Sequence, residues 1–159
     1  MLRTHCTKKL ERYLAREGVA FRELTHTTAY TAQRLAQVEH IPGKAVAKVV
    51  VAKGDHGTCL LVLPATHKVD MNRAAAALGM RHLELAEEHE FRRLFPDSEV
   101  GAMPPFGNLY DMPVYVDQAL AEDPEVTFAA GSHELTLTVS YADFGRLVRP
   151  VVANFARRI

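Results

Sequence analysis

Apolar residues recur along this chain with two different periods, and the switches between them mark out alternating helices and strands. From about Thr7 to Glu17, Leu10, Tyr13 and Leu14 fall on one helical face and Gly18 supplies a stop, which predicts a first helix. Strand-like residues Val19 to Leu24 follow. A second helix is expected over roughly Thr31 to Glu39, with Leu35 and Val38 inward and an end before Pro42. The stretch Ala45 to Ala52 is almost continuously apolar and β-branched, as in a strand covered on both faces at the centre of a sheet. Lys53 to Gly57 reads as a turn and Thr58 to Leu63 as the antiparallel partner strand.

Farther along, Asp70 is a plausible N-cap for an alanine-rich helix from Arg73 to Leu78 that ends at Gly79. Leu83 to Leu85 fits a short strand, and Glu87 to Leu94 a helix stopped by Pro96. After a loop from Gly101 to Gly107, strands are expected at Val114 to Asp117, Val126 to Ala129 and Leu135 to Val139. Ser140-Tyr141-Ala142-Asp143 resembles a capping box, with Asp in the place of the commoner Glu or Gln. Phe144, Leu147 and Val148 supply the buried side of the helix it opens. Hairpins with helices scattered between them predict an α+β domain with a mixed or antiparallel sheet.

The length of 159 residues suits one domain, 1–159, with a full core, and no repeat or flexible linker divides it. Two cysteines, Cys6 and Cys59, are too few and too ill-spaced for a disulfide framework or a zinc ribbon, so a reducing, cytoplasmic setting is the expectation. No charged-then-apolar leader and no membrane-length apolar run is read, so neither secretion nor a membrane partner is expected. Nineteen basic residues balance nineteen acidic ones, which argues against a general nucleic-acid binder yet leaves room for a local patch touching a few phosphates.

Three features carry candidate chemistry. Lys48 shares a strand face with Val46, Val50 and Ala52, where an unpaired ammonium would be costly to bury. Either the strand tip is exposed or the lysine finds a carboxylate or snorkels, or it is a cation on a cleft floor awaiting a phosphate or carboxylate. His133 has the parity of Leu135, Leu137 and Val139, which makes it a satisfied core histidine or a pocket-lining imidazole. The uncharged loop Gly101-Ala102-Met103-Pro104-Pro105-Phe106-Gly107 is either a rigid packing turn or a backbone clamp whose N–H groups approach a ligand.

Other constellations fail. Ser132 and His133, adjacent on extended chain, would point to opposite faces and could not act as nucleophile and base. The eight histidines show no helical zinc spacing, no dinucleotide or phosphate-loop fingerprint occurs, and neither metal nor cofactor is expected. Glu87, Glu88 and Glu90 around His89 read as a solvated helix face.

Lys48 in an apolar strand, the Gly101-to-Gly107 loop with its Gly-x-x-x-Pro-Phe-Gly pattern, and Gly131-Ser132-His133 before a late strand resemble the three signature regions of the YbaK / prolyl-tRNA-synthetase-associated family, in order and in spacing. The resemblance runs from about Tyr30 to the last helix. It implies a mixed, largely antiparallel sheet curled into a partly open barrel with flanking helices. It also implies a hydrolase that removes a wrong, small amino acid such as Ala, Ser or Cys from proline tRNA or a related tRNA.

By the same resemblance, Lys48 holds the phosphate and ribose of the tRNA 3′ acceptor end. Gly101 and Pro105, with the loop between and beyond them, hold the aminoacyl group, and Gly131, Ser132 and His133 border the pocket. Lys48, Gly101 and His133 are thereby the expected catalytic residues, aminoacyl-tRNA the expected partner, and an aminoacyl-tRNA synthetase a second partner the family allows. Val49 stands where many relatives carry a small polar residue. With no net charge overall, Lys44, Lys48, Lys53, Lys68 and Arg73 are the candidates for a tRNA patch. The absence of a conventional catalytic group keeps a non-catalytic module for acceptor ends, amino acids or a partner protein as the alternative. The oligomeric state is left open, and Arg157-Arg158-Ile159 is expected to be a frayed tail.

Overall fold

In the computed structural model, which describes residues 3–159, the apolar runs near the middle of the chain become two neighbouring strands, β2 (Ala47–Gly54) and β3 (Gly57–Pro64). They pair antiparallel from Ala47 opposite Pro64 to Gly54 opposite Gly57, closing on a turn at Asp55 and His56. Strand β3 explains its uninterrupted hydrophobicity by its neighbours. Leu60 and Val62 belong to one core cluster, and Leu61 and Leu63 to another that includes Phe155 and Ala74. Both faces are therefore dry, as the pattern required.

Around this hairpin a five-stranded sheet runs in the order β5-β2-β3-β6-β9, adding β5 (Leu83–Leu85), β6 (Val114–Asp117) and β9 (Val151–Ala153). The contacts β3–β6 and β6–β9 are parallel, so the sheet is mixed. A second, antiparallel sheet has β8 (Leu135–Ser140) between β1 (Arg22–Thr25) and β7 (Glu125–Ser132). One isolated parallel bridge, Val46 to Thr127, links the two at the start of β2. The larger core contains Phe106, whose ring meets Phe128, Phe144 and Tyr13 edge-on at 5.3, 5.5 and 6.3 Å. Such pairs add about 0.5–1.5 kcal/mol each beyond the area they bury.

Helices α1 (His5–Arg16), α2 (Ala32–Glu39), α3 (Met71–Ala77), α4 (Glu88–Leu94), α5 (Gln118–Ala121) and α6 (Tyr141–Val148) complete an α+β fold. Side chains of Thr4, Thr31, Asp70 and Ser140 cap α1, α2, α3 and α6 by accepting the N–H three residues on. Glu87 and Glu90 form a capping box on α4; Glu87 and Glu88 are exposed, as expected of a solvated face, whereas Glu90 is half-buried.

The C-terminal residues depart from expectation. Ala156–Arg158 form β10, antiparallel to β4 (His67–Val69), in place of a frayed tail. The anchor precedes it. Phe155 is fully buried, and the N–H groups of Phe155 and Ala156 both donate to buried Asp117 Oδ1, at 2.9 and 2.8 Å. No helix among the described residues is long and apolar enough to cross a membrane.

Candidate active site

A cleft of about 280 Å³ opens where the start of β2, the β7–β8 hairpin, the loop before Met103 and the segment leading into α2 converge. Of the residues singled out in the sequence, Lys48, Gly101, Met103, Ser132 and His133 line it. Ala102, Pro104, Pro105, Phe106, Gly107 and Gly131 are buried beside and behind it, with Phe106 at the centre of the core.

Lys48 is half-buried, and its Nζ donates to the His67 carbonyl at 3.1 Å. One protein acceptor for three ammonium hydrogens leaves donors for a ligand. Burial, and secondarily the like charge of Lys68, lowers the Lys48 pKa from its ordinary value. Of the other candidates for a tRNA patch, Lys53 is held by Glu84 and Glu90 at 3.3 and 2.9 Å, and Arg73 donates to the Ala156 carbonyl.

The loop and the hairpin are laced together. Glu99 N–H donates to Gly131 O at 2.9 Å, and Gly131 N–H to Ala102 O at 2.8 Å. His133 N–H donates to Glu99 Oε1, and its ring Nε2 meets Val100 O, both at 2.7 Å. A carbonyl can only accept, so Nε2 carries the hydrogen and a neutral ring keeps its lone pair on Nδ1. Gly101 has φ +87°, and a Cβ there would stand 3.4 Å from His133 Cε1. Gly131, at φ +92°, has α1 pressed against it, so that a Cβ would come within 2.8–3.0 Å of Thr4 and Cys6. The Gly101 N–H has Met103 Sδ, a weak acceptor, at 3.3 Å. It can be surrendered to a stronger acceptor at little cost.

Two expectations about the hairpin change. His133 is the first residue of the turn that follows β7, so strand parity does not apply to it. Its burial comes from packing on Gly101 and Tyr30. Ser132 and His133 both border the cleft in spite of being adjacent, because the chain leaves the extended strand for a turn at His133. The Ser132 hydroxyl accepts from Glu134 N–H at 3.1 Å.

Several wall residues had no signature. The Tyr30 ring packs at a tilt on His133, and Thr31 and Ala32 bring the start of α2 to the cleft. His26 is a wall residue whose side chain is 4% exposed. Its Nδ1 donates to Thr27 O at 2.6 Å, and its Nε2 lies 3.3 Å from Glu39 Oε2 without hydrogen-bond geometry. Glu39 accepts in turn from Thr136 Oγ1 at 2.7 Å, tying α2 to β8. Only the His26 type and its position just past a strand could have drawn notice. The one grouping of three metal-capable side chains among the described residues, Glu87, His89 and Glu90, lies on the surface at α4.

The sequence matches the aminoacyl-tRNA editing domain family over residues 26–147. The chain belongs to that family. This editing domain is also 27% identical, over 155 residues, to an Escherichia coli (strain K12) protein named multifunctional Ser/Thr-tRNA deacylase ProXp-y. That match covers 94% of the chain and 92% of the relative. A crystal structure provisionally assigned as a trans-editing enzyme for prolyl tRNA synthetase superposes with a TM-score of 0.82 at 24% identity, covering 98% of this chain and 99% of the other. A second, of a hypothetical protein, gives a TM-score of 0.83 at 20% identity, covering 94% and 99%. These two likenesses establish the fold.

Proposed function

We propose that this single editing domain hydrolyses the ester of mischarged aminoacyl-tRNA in trans, with the acceptor end seated in the cleft bounded by Lys48, Gly101 and His133. The observation that carries the reading is the convergence of these three, drawn from distant parts of the chain, on one cleft of amino-acid size. Lys48 offers its free N–H donors to the phosphate or ribose of the terminal nucleotide. The aminoacyl group lies against the Gly101 loop.

An aminoacyl ester needs no protein nucleophile. Water adds to the ester carbonyl, assisted by the neighbouring ribose hydroxyl, and the bond from the carbonyl carbon to the ribose oxygen breaks. Free amino acid and a tRNA with its hydroxyl restored are the products. The Gly101 N–H, whose one partner among the described residues is a thioether, is the donor best placed to stabilise the developing oxyanion. His133 supports that geometry by fixing the Val100 carbonyl.

The volume of the cleft and the apolar Ala29, Ala47, Val49 and Met103 on its walls favour a small amino acid. Serine and threonine are the first candidates, because the relative ProXp-y is named for their esters. Proline tRNA and its synthetase are candidate partners on the assignment of the structural neighbour. The Val46–Thr127 bridge supports reading the two sheets as one partly open barrel.

The test is the hydrolysis rate of labelled Ser-, Thr-, Ala- and Cys-charged tRNAs, each on a non-cognate tRNA, with and without the protein. Fast loss of at least one species is expected. Decay of every ester at the buffer rate would overturn the reading.

A further inference from the structure

Tyr30 is 74% exposed, yet its ring is held in place. It packs against the His133 imidazole with centroids 4.8 Å apart and planes tilted by 59°. Its backbone is fixed on both sides: Ala29 N–H donates to His133 O at 3.0 Å, and Thr31 caps α2 by accepting from Arg34 N–H at 3.0 Å. A tyrosine that served only the core would bury its ring. This one is braced on one side and open on the other, at the border of the cleft that contains Lys48.

We propose that Tyr30 is the stacking platform for the terminal nucleobase of the acceptor end, so that its ring takes the base while Lys48 takes the phosphate or ribose. The inference rests on the editing reading for the identity of the ligand. Aromatic faces bind bases of any sequence, and a ring already ordered by His133 loses little freedom on binding. The platform also has a consequence for catalysis: a base resting on Tyr30 fixes the ribose, and with it the ester, relative to Gly101. Tyr30 is thus a positioning residue, coupled through the His133 ring to the loop.

The experiment compares binding of two probes, a 5′-labelled cytidylyl-cytidylyl-adenosine trinucleotide and the same molecule with an abasic 3′ ribose. Wild type should prefer the complete trinucleotide by roughly 5- to 100-fold, the range for one stacked base. Tyr30→Ala should bring that ratio to about one without altering Tm, whereas Tyr30→Phe should preserve it. A wild-type ratio near one, or an unchanged ratio in Tyr30→Ala, overturns the proposal. Ester hydrolysis followed in parallel separates the two readings. Hydrolysis with a Tyr30-independent ratio removes the platform alone; a Tyr30-dependent ratio without hydrolysis keeps the platform and removes the editing reaction.

Discussion

At the scale of single residues, the site is made of groups placed where stability alone would not put them. Lys48 pays a desolvation cost with one acceptor among the described residues, and Gly101 takes a backbone conformation that side chains resist. Gly101→Ala should therefore do two things at once. The positive φ should destabilise the fold by about 1–3 kcal/mol. The same strain, in the loop that carries the proposed oxyanion donor, should also lower deacylation, measured as kcat/KM beside a denaturation curve; the new methyl group itself would only touch His133 Cε1, at 3.4 Å. Lys48 was legible in the sequence because an ammonium among β-branched neighbours is conspicuous. Tyr30, His26, Glu39 and Glu99 were not, since each acts through partners far away in the chain and none breaks a local pattern.

At the scale of elements, periodicity located the long strands and capped helices well, because burial on one face or two leaves a pattern of several residues. β4, β9 and β10 escaped it, as did the four-residue α5. The three strands have three residues each without the apolar–polar alternation that marks β5, and β10 owes its place to the buried Phe155 just before it and to the Asp117 carboxylate. Asp117 also accepts from Ala119 N–H at 3.0 Å, so this one side chain of β6 satisfies three backbone donors, one in α5 and two in the C-terminal segment. Asp117→Ala should strand those donors and cost about 3 kcal/mol, visible in chemical denaturation. A loss below about 0.5 kcal/mol would mean that the C-terminal strand is held by other contacts.

For the whole molecule, the three sequence regions that resemble the family lie on separate elements, and only the fold brings them to one cleft. Hydrogen bonds between residues 99–102 and 131–133, with α1 packed behind Gly131, make that meeting rigid. The lack of net charge fits the proposed seating of an acceptor end alone in the cleft. The shared cleft could not be read from order and spacing, since it depends on how the two sheets join.

The most direct test is single-turnover hydrolysis of the preferred mischarged tRNA by wild type and Lys48→Met, with Tm measured on both. On the proposed reading, the lysine binds the substrate at the expense of its own hydration. Its replacement should slow deacylation by roughly 10- to 100-fold, the worth of a charged hydrogen bond, and leave Tm unchanged or higher. A Lys48→Met protein that cleaves the ester at the wild-type rate would contradict the account.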